Sequence, residues 1–278
     1  MKPIIKGIRY IGIYLPVVIS LFLLFFPFYW MILTSFQQKP QTYAYPPQFF
    51  LLSPTFTNYV SAFGGKPVIL WIINTLYVSI ATTIFAVILS SFAGYSISRF
   101  RYSGRRALSI LILASQMFPP TLFIVPYYVV MNRLGLINTH FGLAMTYSSF
   151  SIPLCVWMMK GFFDSVPREI EDAAAIDGCN RIQILFRIVF PVSLSGIVAT
   201  ALFSFMVAWQ EFMFARTLLT TMAKWTGAVG IASLRGEYEI YWNDVMAAAV
   251  VFCLPAIVVF LILERYLVAG LSGGAVKG

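Results

Sequence analysis

Charge is scarce in this chain of 278 residues: only 10% are Asp, Glu, Lys or Arg. A soluble globular chain carries about 25%. With 60% hydrophobic residues and a mean hydropathy of +0.84, the scarcity excludes a soluble domain and points to an all-α integral membrane protein. His140 is the only histidine, so no His-based catalytic triad or His-rich metal cluster is available. The three cysteines, Cys155, Cys179 and Cys253, lie far apart without CxxC or CxxH spacing, which reads as isolated thiols. The phosphate-cradling GxxxxGK[ST] pattern is also missing; Gly65-Lys66 runs into Pro67. These absences argue against catalysis, against a metal and against a nucleotide site in this chain.

What the chain has is long uncharged runs. Six of them, Tyr10–Gln38, Pro67–Ser98, Ala107–Asn132, Phe141–Met159, Ile188–Gln210 and Val245–Leu263, meet the roughly 20 helical residues that cross about 30 Å of hydrocarbon. None alternates like a barrel strand, so six transmembrane helices are expected. Lys2, Lys6 and Arg9 precede the first run, but it is too long for a signal core and no small-residue cleavage site follows, so it reads as an uncleaved helix. With the N-terminus inside, 13 of the 19 Lys and Arg fall in inside segments. The net charge of +9 therefore fits orientation, with both termini cytoplasmic, rather than nucleic acid.

Between the fourth and fifth runs lies a polar island, Lys160 to Arg187, holding Asp164, Glu169, Glu171, Asp172 and Asp177, five of the ten acidic residues. Acids after Pro167 suit the first turn of a helix, and Asp177-Gly178 is a helix stop. Ile182, Leu185, Phe186 and Val189 then recur at helical spacing. A helix–turn–helix on the cytoplasmic membrane surface is expected. Elsewhere, Pro119-Pro120 and Pro126 break the third run, either beside a pathway or as a structural kink. Glu211, after Trp209-Gln210, is either a pathway-lining carboxylate or solvated beyond a helix end. His140 reads as an interfacial polar cap. The outer stretch from about Lys39 to Lys66, rich in proline and aromatics, reads as an ordered cap or a loose loop.

Within the island, Glu171-x-Ala173-Ala174-x-x-x-Gly178, followed after nine residues by Ile188-x-Phe190-Pro191, resembles the EAA signature of permease subunits of binding-protein-dependent ABC importers. Asp172 sits between the glutamate and the alanines, and Phe190 stands where leucine is usual. Asn74-Thr75-Leu76, Leu134 to Thr139, Lys160-Gly161-Phe162-Phe163, Trp209-Gln210-Glu211-Phe212 and the tail from Val268 to Gly278 resemble the carbohydrate-uptake branch, of the maltose-permease G type.

The resemblance implies a type I ABC importer permease: an extra helix and outer loop over 1–68, a transmembrane domain over 69–265 with the EAA loop at 160–191, and a flexible cytoplasmic tail over 266–278. It implies multi-pass residence in a bacterial or archaeal cytoplasmic membrane. Partners would be a cytoplasmic ATPase dimer binding the ATP and Mg, a second related permease and an extracytoplasmic sugar-binding protein. Glu171, Ala173, Ala174, Asp177 and Gly178 would couple to the ATPase, with Glu171 meeting a basic residue there and the alanines permitting close approach. Gln116, Asn132 and Glu211 are candidate pathway residues for a mono- to oligosaccharide or polyol. A secondary transporter, or an ABC permease for another solute, is the alternative.

Overall fold

A computed structural model describes the backbone of residues 2–51, 53–235 and 240–275, and side chains within 14–51, 53–235 and 240–267. Among the described residues every regular element is helical. Four continuous helices are long and apolar enough to cross a membrane: Tyr14–Phe36 within α1 (Lys2–Phe36), α4 (Val68–Arg99), α7 (His140–Asp164) and Trp242–Leu267 within α14 (Trp242–Ala275). The third and fifth expected spans are bent pairs. Arg105–Met117, which contains α5 (Arg105–Ala114), meets Pro120–Arg133, which contains α6 (Ile124–Arg133), at 93°. Arg181–Val192 meets α11 (Leu194–Gln210) at 86°.

Proline explains the first break. Phe118 and Pro119, each preceding a proline, have ψ of 131° and 127°, because the following ring disfavours the helical region. The second break corrects the fifth span. Ile188–Val192 belongs to the surface helix, and only the 17 residues of α11 continue beyond Ser193. That is the short end of a spanning length.

The chain forms two compact units, one of residues 1–68 with 231–253 and the other of 69–230 with 254–278. In the first unit, α2 (Lys39–Thr42) and α3 (Thr57–Gly64) make the outer stretch ordered rather than loose. Buried Asn58 donates to the carbonyls of Ser35 and Gln37 at 2.9 and 2.8 Å. Buried Asn243 donates to the Gln37 carbonyl at 2.8 Å and to the Thr42 hydroxyl at 2.6 Å. The bonds to Ser35 and Gln37 take up carbonyls left over where α1 ends. The bonds of Asn243 to Gln37 and Thr42 also tie residues 231–253 to the N-terminal segment within this unit. Along α1, Phe22, Leu23, Leu24 and Phe25 are exposed, as a lipid-facing helix requires.

The second unit has two apolar cores. One gathers Val78, Met131, Leu143, Tyr147, Phe214, Leu218 and Leu219, using α12 (Met213–Leu218) to close it. The other gathers Tyr95, Met159, Phe163, Ala174, Ile184, Leu185 and Val189, under the polar island. Small residues let these helices approach. A Cβ on Gly94 of α4 would come within 2.9 Å of the Met159 Cβ and 3.0 Å of the Lys160 nitrogen on α7. Close packing of this kind substitutes for the hydrophobic drive that lipid removes. The tail differs from expectation: α14 keeps the backbone helical through Ala275, and residues 276–278 lie outside the described residues.

Gly94→Val should force α4 away from α7 and cost about 1–3 kcal/mol as an overpacked site. Thermal unfolding of the detergent-solubilised protein checks this, with a lowered midpoint expected.

Candidate functional site

The polar island folds as a helix, a tight turn and a second helix. Pro167 caps α8 (Arg168–Ile176) and holds a φ of −57°, while Glu169 and Glu171 occupy its first turn, where the positive end of the helix dipole favours carboxylates. Gly178 ends it at φ +86°, a conformation open to glycine. The Cys179 amide donates to Ala174 O at 3.0 Å and the Gly178 amide to Ala175 O at 3.1 Å, the paired bonds of a Schellman stop. Asn180 then opens the next helix. Its side chain accepts from the Gln183 amide at 2.9 Å and the Gln183 side chain accepts from the Asn180 amide at 2.8 Å, a reciprocal cap. The second helix runs through α9 (Arg181–Ile184), a π-helical turn at Leu185–Val189 and α10 (Phe190–Val192). Pro191 supplies no amide hydrogen, and its ring would collide with the carbonyl four residues back, so the ladder widens there.

The buried face of this helix differs from the expected stripe. Ile184, Leu185 and Val189 are buried, whereas Ile182 and Phe186 of the expected stripe are exposed. In α8 the structure divides the expected coupling residues by face. Glu171 and Ala174 are buried at 3% and 7% exposure, three positions apart and turned inward. Asp172, Ala173, Ala175, Ile176, Asp177 and Gly178 face out. Ala174 fills the core against Tyr95 and Phe163, so only Ala173 of the pair is open to close approach. Glu171 meets a base within the chain.

That base is Arg99, the last residue of α4. Its Nε donates to Glu171 Oε1 at 2.5 Å, and both side chains are nearly closed off from solvent, at 7% and 4% exposure. The other carboxylate oxygen accepts from the Tyr95 hydroxyl at 2.8 Å. Arg99 Nη2 donates to Val166 O at 2.8 Å and Nη1 to the Ser98 hydroxyl at 3.2 Å. Ser98 in turn donates to Asp164 at 2.6 Å, which also pairs with Lys160. A buried pair is tolerable when its polar atoms are met, and here each Arg99 nitrogen and each Glu171 oxygen has a partner.

Comparison with known proteins decides what such an assembly belongs to. Residues 86–273 match the family of binding-protein-dependent transport system inner membrane components. The chain belongs to that family. Similar relatives include the inner membrane ABC transporter permease YcjP of Escherichia coli, 34% identical over 270 residues with 96% of both chains covered. The trehalose/maltose permease MalG of Thermococcus litoralis is 34% identical, with 91% of each chain covered. The sulfoquinovosyl glycerol permease SmoH of Agrobacterium fabrum is also 34% identical, covering 91% of this chain and 89% of its own. A bacterial ABC transporter involved in alginate import shares the fold, with a TM-score of 0.80 at 21% identity over 94% of this chain and 98% of that one. The chain is thus an ABC importer permease and a non-enzymatic membrane subunit. Among the described residues no group of three His, Cys, Asp or Glu is placed to hold a metal.

Of the expected pathway residues, Gln116 lies at a cavity. It sits in the one-turn helix Ser115–Met117 at the 93° break and donates to Phe150 O at 3.0 Å. There it lines a cavity of about 310 Å³ with Phe118, Tyr127, Ser149, Phe150 and Phe203. Asn132 is exposed in the last turn of α6 and does not line it. Glu211 closes the gap between α11 and α12, its two oxygens accepting from the amides of Phe214 and Ala215 at 2.9 and 3.2 Å. The helix has ended at Glu211, and the half-buried carboxylate serves as a cap.

Sequence reasoning missed Asn138. It adopts φ +57°, its side chain accepts from the Thr220 and Thr221 amides at 3.2 Å, and its carbonyl accepts from Lys224 Nζ at 2.7 Å. His140 beside it opens α7, with Nε2 2.9 Å from Lys224 O. An Asn ahead of a Thr helix cap was the available signal.

Glu211→Ala should remove the α12 cap and cost about 1 kcal/mol, whereas Glu211→Gln, keeping an acceptor, should cost less. Thermal unfolding of the two variants side by side checks the order.

Proposed function

We propose that this permease carries sugars, from mono- to oligosaccharides or related polyols, inward at the expense of ATP hydrolysed by a cytoplasmic ATPase pair. The ATP and Mg belong to that partner. A second, related permease completes the membrane unit, and an extracytoplasmic binding protein delivers the sugar. Both termini and the helix–turn–helix lie on the cytoplasmic side, where Arg99, Arg101, Arg105 and Arg106 also cluster.

One observation carries the coupling role. At the tip of the helix–turn–helix, Ile176 is 87% exposed and Ile182 is 63% exposed, flanked by Asp172, Ala173 and Asp177. An apolar pair with a charged rim, on a segment too polar for lipid, has the composition of a protein contact. Ala173 lets another backbone come close. The substrate class is supported by the relatives named for trehalose/maltose and sulfoquinovosyl glycerol. It is supported too by the cavity at Gln116, which joins aromatic rings with an amide and the hydroxyls of Ser115, Tyr127 and Ser149, the mixture that neutral polyhydroxylated ligands require.

Ile176→Asp should abolish co-purification with the ATPase while the permease still folds, because this side chain is 87% exposed in its own chain. Pull-down of the coexpressed complex measures it, and undiminished capture would remove the coupling role from this face. Uptake of labelled saccharides into proteoliposomes containing the whole complex tests the substrate class, and ATP-driven uptake of a non-sugar solute alone would replace it.

A further inference from the structure

The outward face of α8 leaves open how motion received there reaches the spanning helices. The covalent route is slender: Ser165, Val166 and Pro167 join α7 to α8, and a three-residue link transmits little by itself. Arg99 supplies another route. From the last turn of α4 its guanidinium reaches the Val166 carbonyl in that link at 2.8 Å and the Glu171 carboxylate in α8 at 2.5 Å. Tyr95, one turn earlier on α4, holds the second Glu171 oxygen at 2.8 Å. Arg168 of α8 returns a bond to Ser98 O at 3.3 Å. One helix end is therefore tied to both the link and the lever.

We infer that Arg99, with Tyr95, is the positioning residue that makes α8 and the end of α4 one rigid body, so that displacement of α8 becomes displacement of α4. This rests on the coupling reading of α8 given above. Three features favour a rigid joint over an incidental ion pair. The planar guanidinium makes bonds in fixed directions to three different groups, which a point charge does not. Both charges match the helix ends that carry them: the cation lies in the last turn of α4 and the anion in the first turn of α8. Exchanging the two charges would oppose both dipoles, so the orientation is built in. Finally, the joint is backed by packing. Gly94 seats α4 against Met159 and Lys160 of α7, and Ala174, one turn after Glu171, fills the core with Tyr95 and Phe163. Slippage of α8 would open an apolar core and strand a buried charge together.

The test uses the complete transporter in proteoliposomes, comparing the unaltered chain with Arg99→Gln, Arg99→Lys and Tyr95→Phe. Saccharide imported per ATP hydrolysed should fall about tenfold in Arg99→Gln, on the scale of a lost coupling energy. Arg99→Lys, keeping the charge without the fork, should recover part of it, and Tyr95→Phe should lose less than Arg99→Gln. A merely structural Arg99 would lower the yield of complex and leave the ratio per ATP intact. An unchanged ratio in assembled Arg99→Gln complexes overturns the inference. A second measurement leaves the joint untouched: spin labels at Leu89→Cys on α4 and Glu169→Cys on α8, with Cys179 and Cys253 replaced by serine. Their separation should agree within about 2 Å between resting and ATP-bound complexes, and a change of about 5 Å, a one-turn slip, overturns the joint even if Arg99→Gln fails to assemble. Absence of ATP-driven uptake by the unaltered complex overturns the importer reading and the joint with it, and is told apart from a loss confined to the variants.

Discussion

Every backbone amide and carbonyl in a lipid-embedded chain must find a partner within the protein, because hydrocarbon offers none. Much of this structure follows from that constraint. Where a helix runs unbroken, as in α4 or α7, the ladder satisfies itself. Where it breaks, a polar side chain stands at the gap. Gln116 sits at the bend of the third span, Glu211 receives the first amides of α12, and Asn138 takes the amides of Thr220 and Thr221. Asn74, deep in α4, donates to the carbonyls of Ala223 and Trp225, each at 2.9 Å, holding an irregular segment against a regular helix. The polar residues scattered through the apolar runs are largely the fastenings that permit irregular backbone at all.

The same economy governs the polar island. Its charges serve two ends, and the helix register separates them. Positions 171 and 174 turn inward, so one supplies an ion for Arg99 and the other a small side chain for the core. Positions 172, 173, 176 and 177 turn outward and stay free for another subunit. Breaking a buried pair by removing one partner costs about 3–5 kcal/mol, because the survivor is left desolvated. A contact on the outer face can therefore form and release without disturbing the inner attachment. A lever needs that division between a fixed side and a free one.

The membrane class, the runs able to span, and the presence of a surface helix–turn–helix were all legible in the sequence. They rest on local properties: charge density, the length of apolar runs, the positive φ that Asp177-Gly178 invites, and the prolines at 119 and 120. The relation of the chain to importer permeases was legible from the island's motif for the same reason, since short spacings survive in sequence order. The family match and the structure both agree with it.

What the tertiary structure decided depends on which groups meet across long separations. Arg99 and Glu171 lie 72 positions apart, and neither announces the other; a glutamate in a coupling motif gives no sign whether it faces a partner or its own chain. The inward turn of Ala174 and the outward placement of Ile182 and Phe186 were likewise settled by packing. Glu211 shows the distinction in one residue. Its cost in an apolar setting was plain from the sequence, but its use as a cap required the chain to turn just beyond it. Local patterns determined what each segment is, and burial with hydrogen-bond satisfaction determined which side of each segment is used.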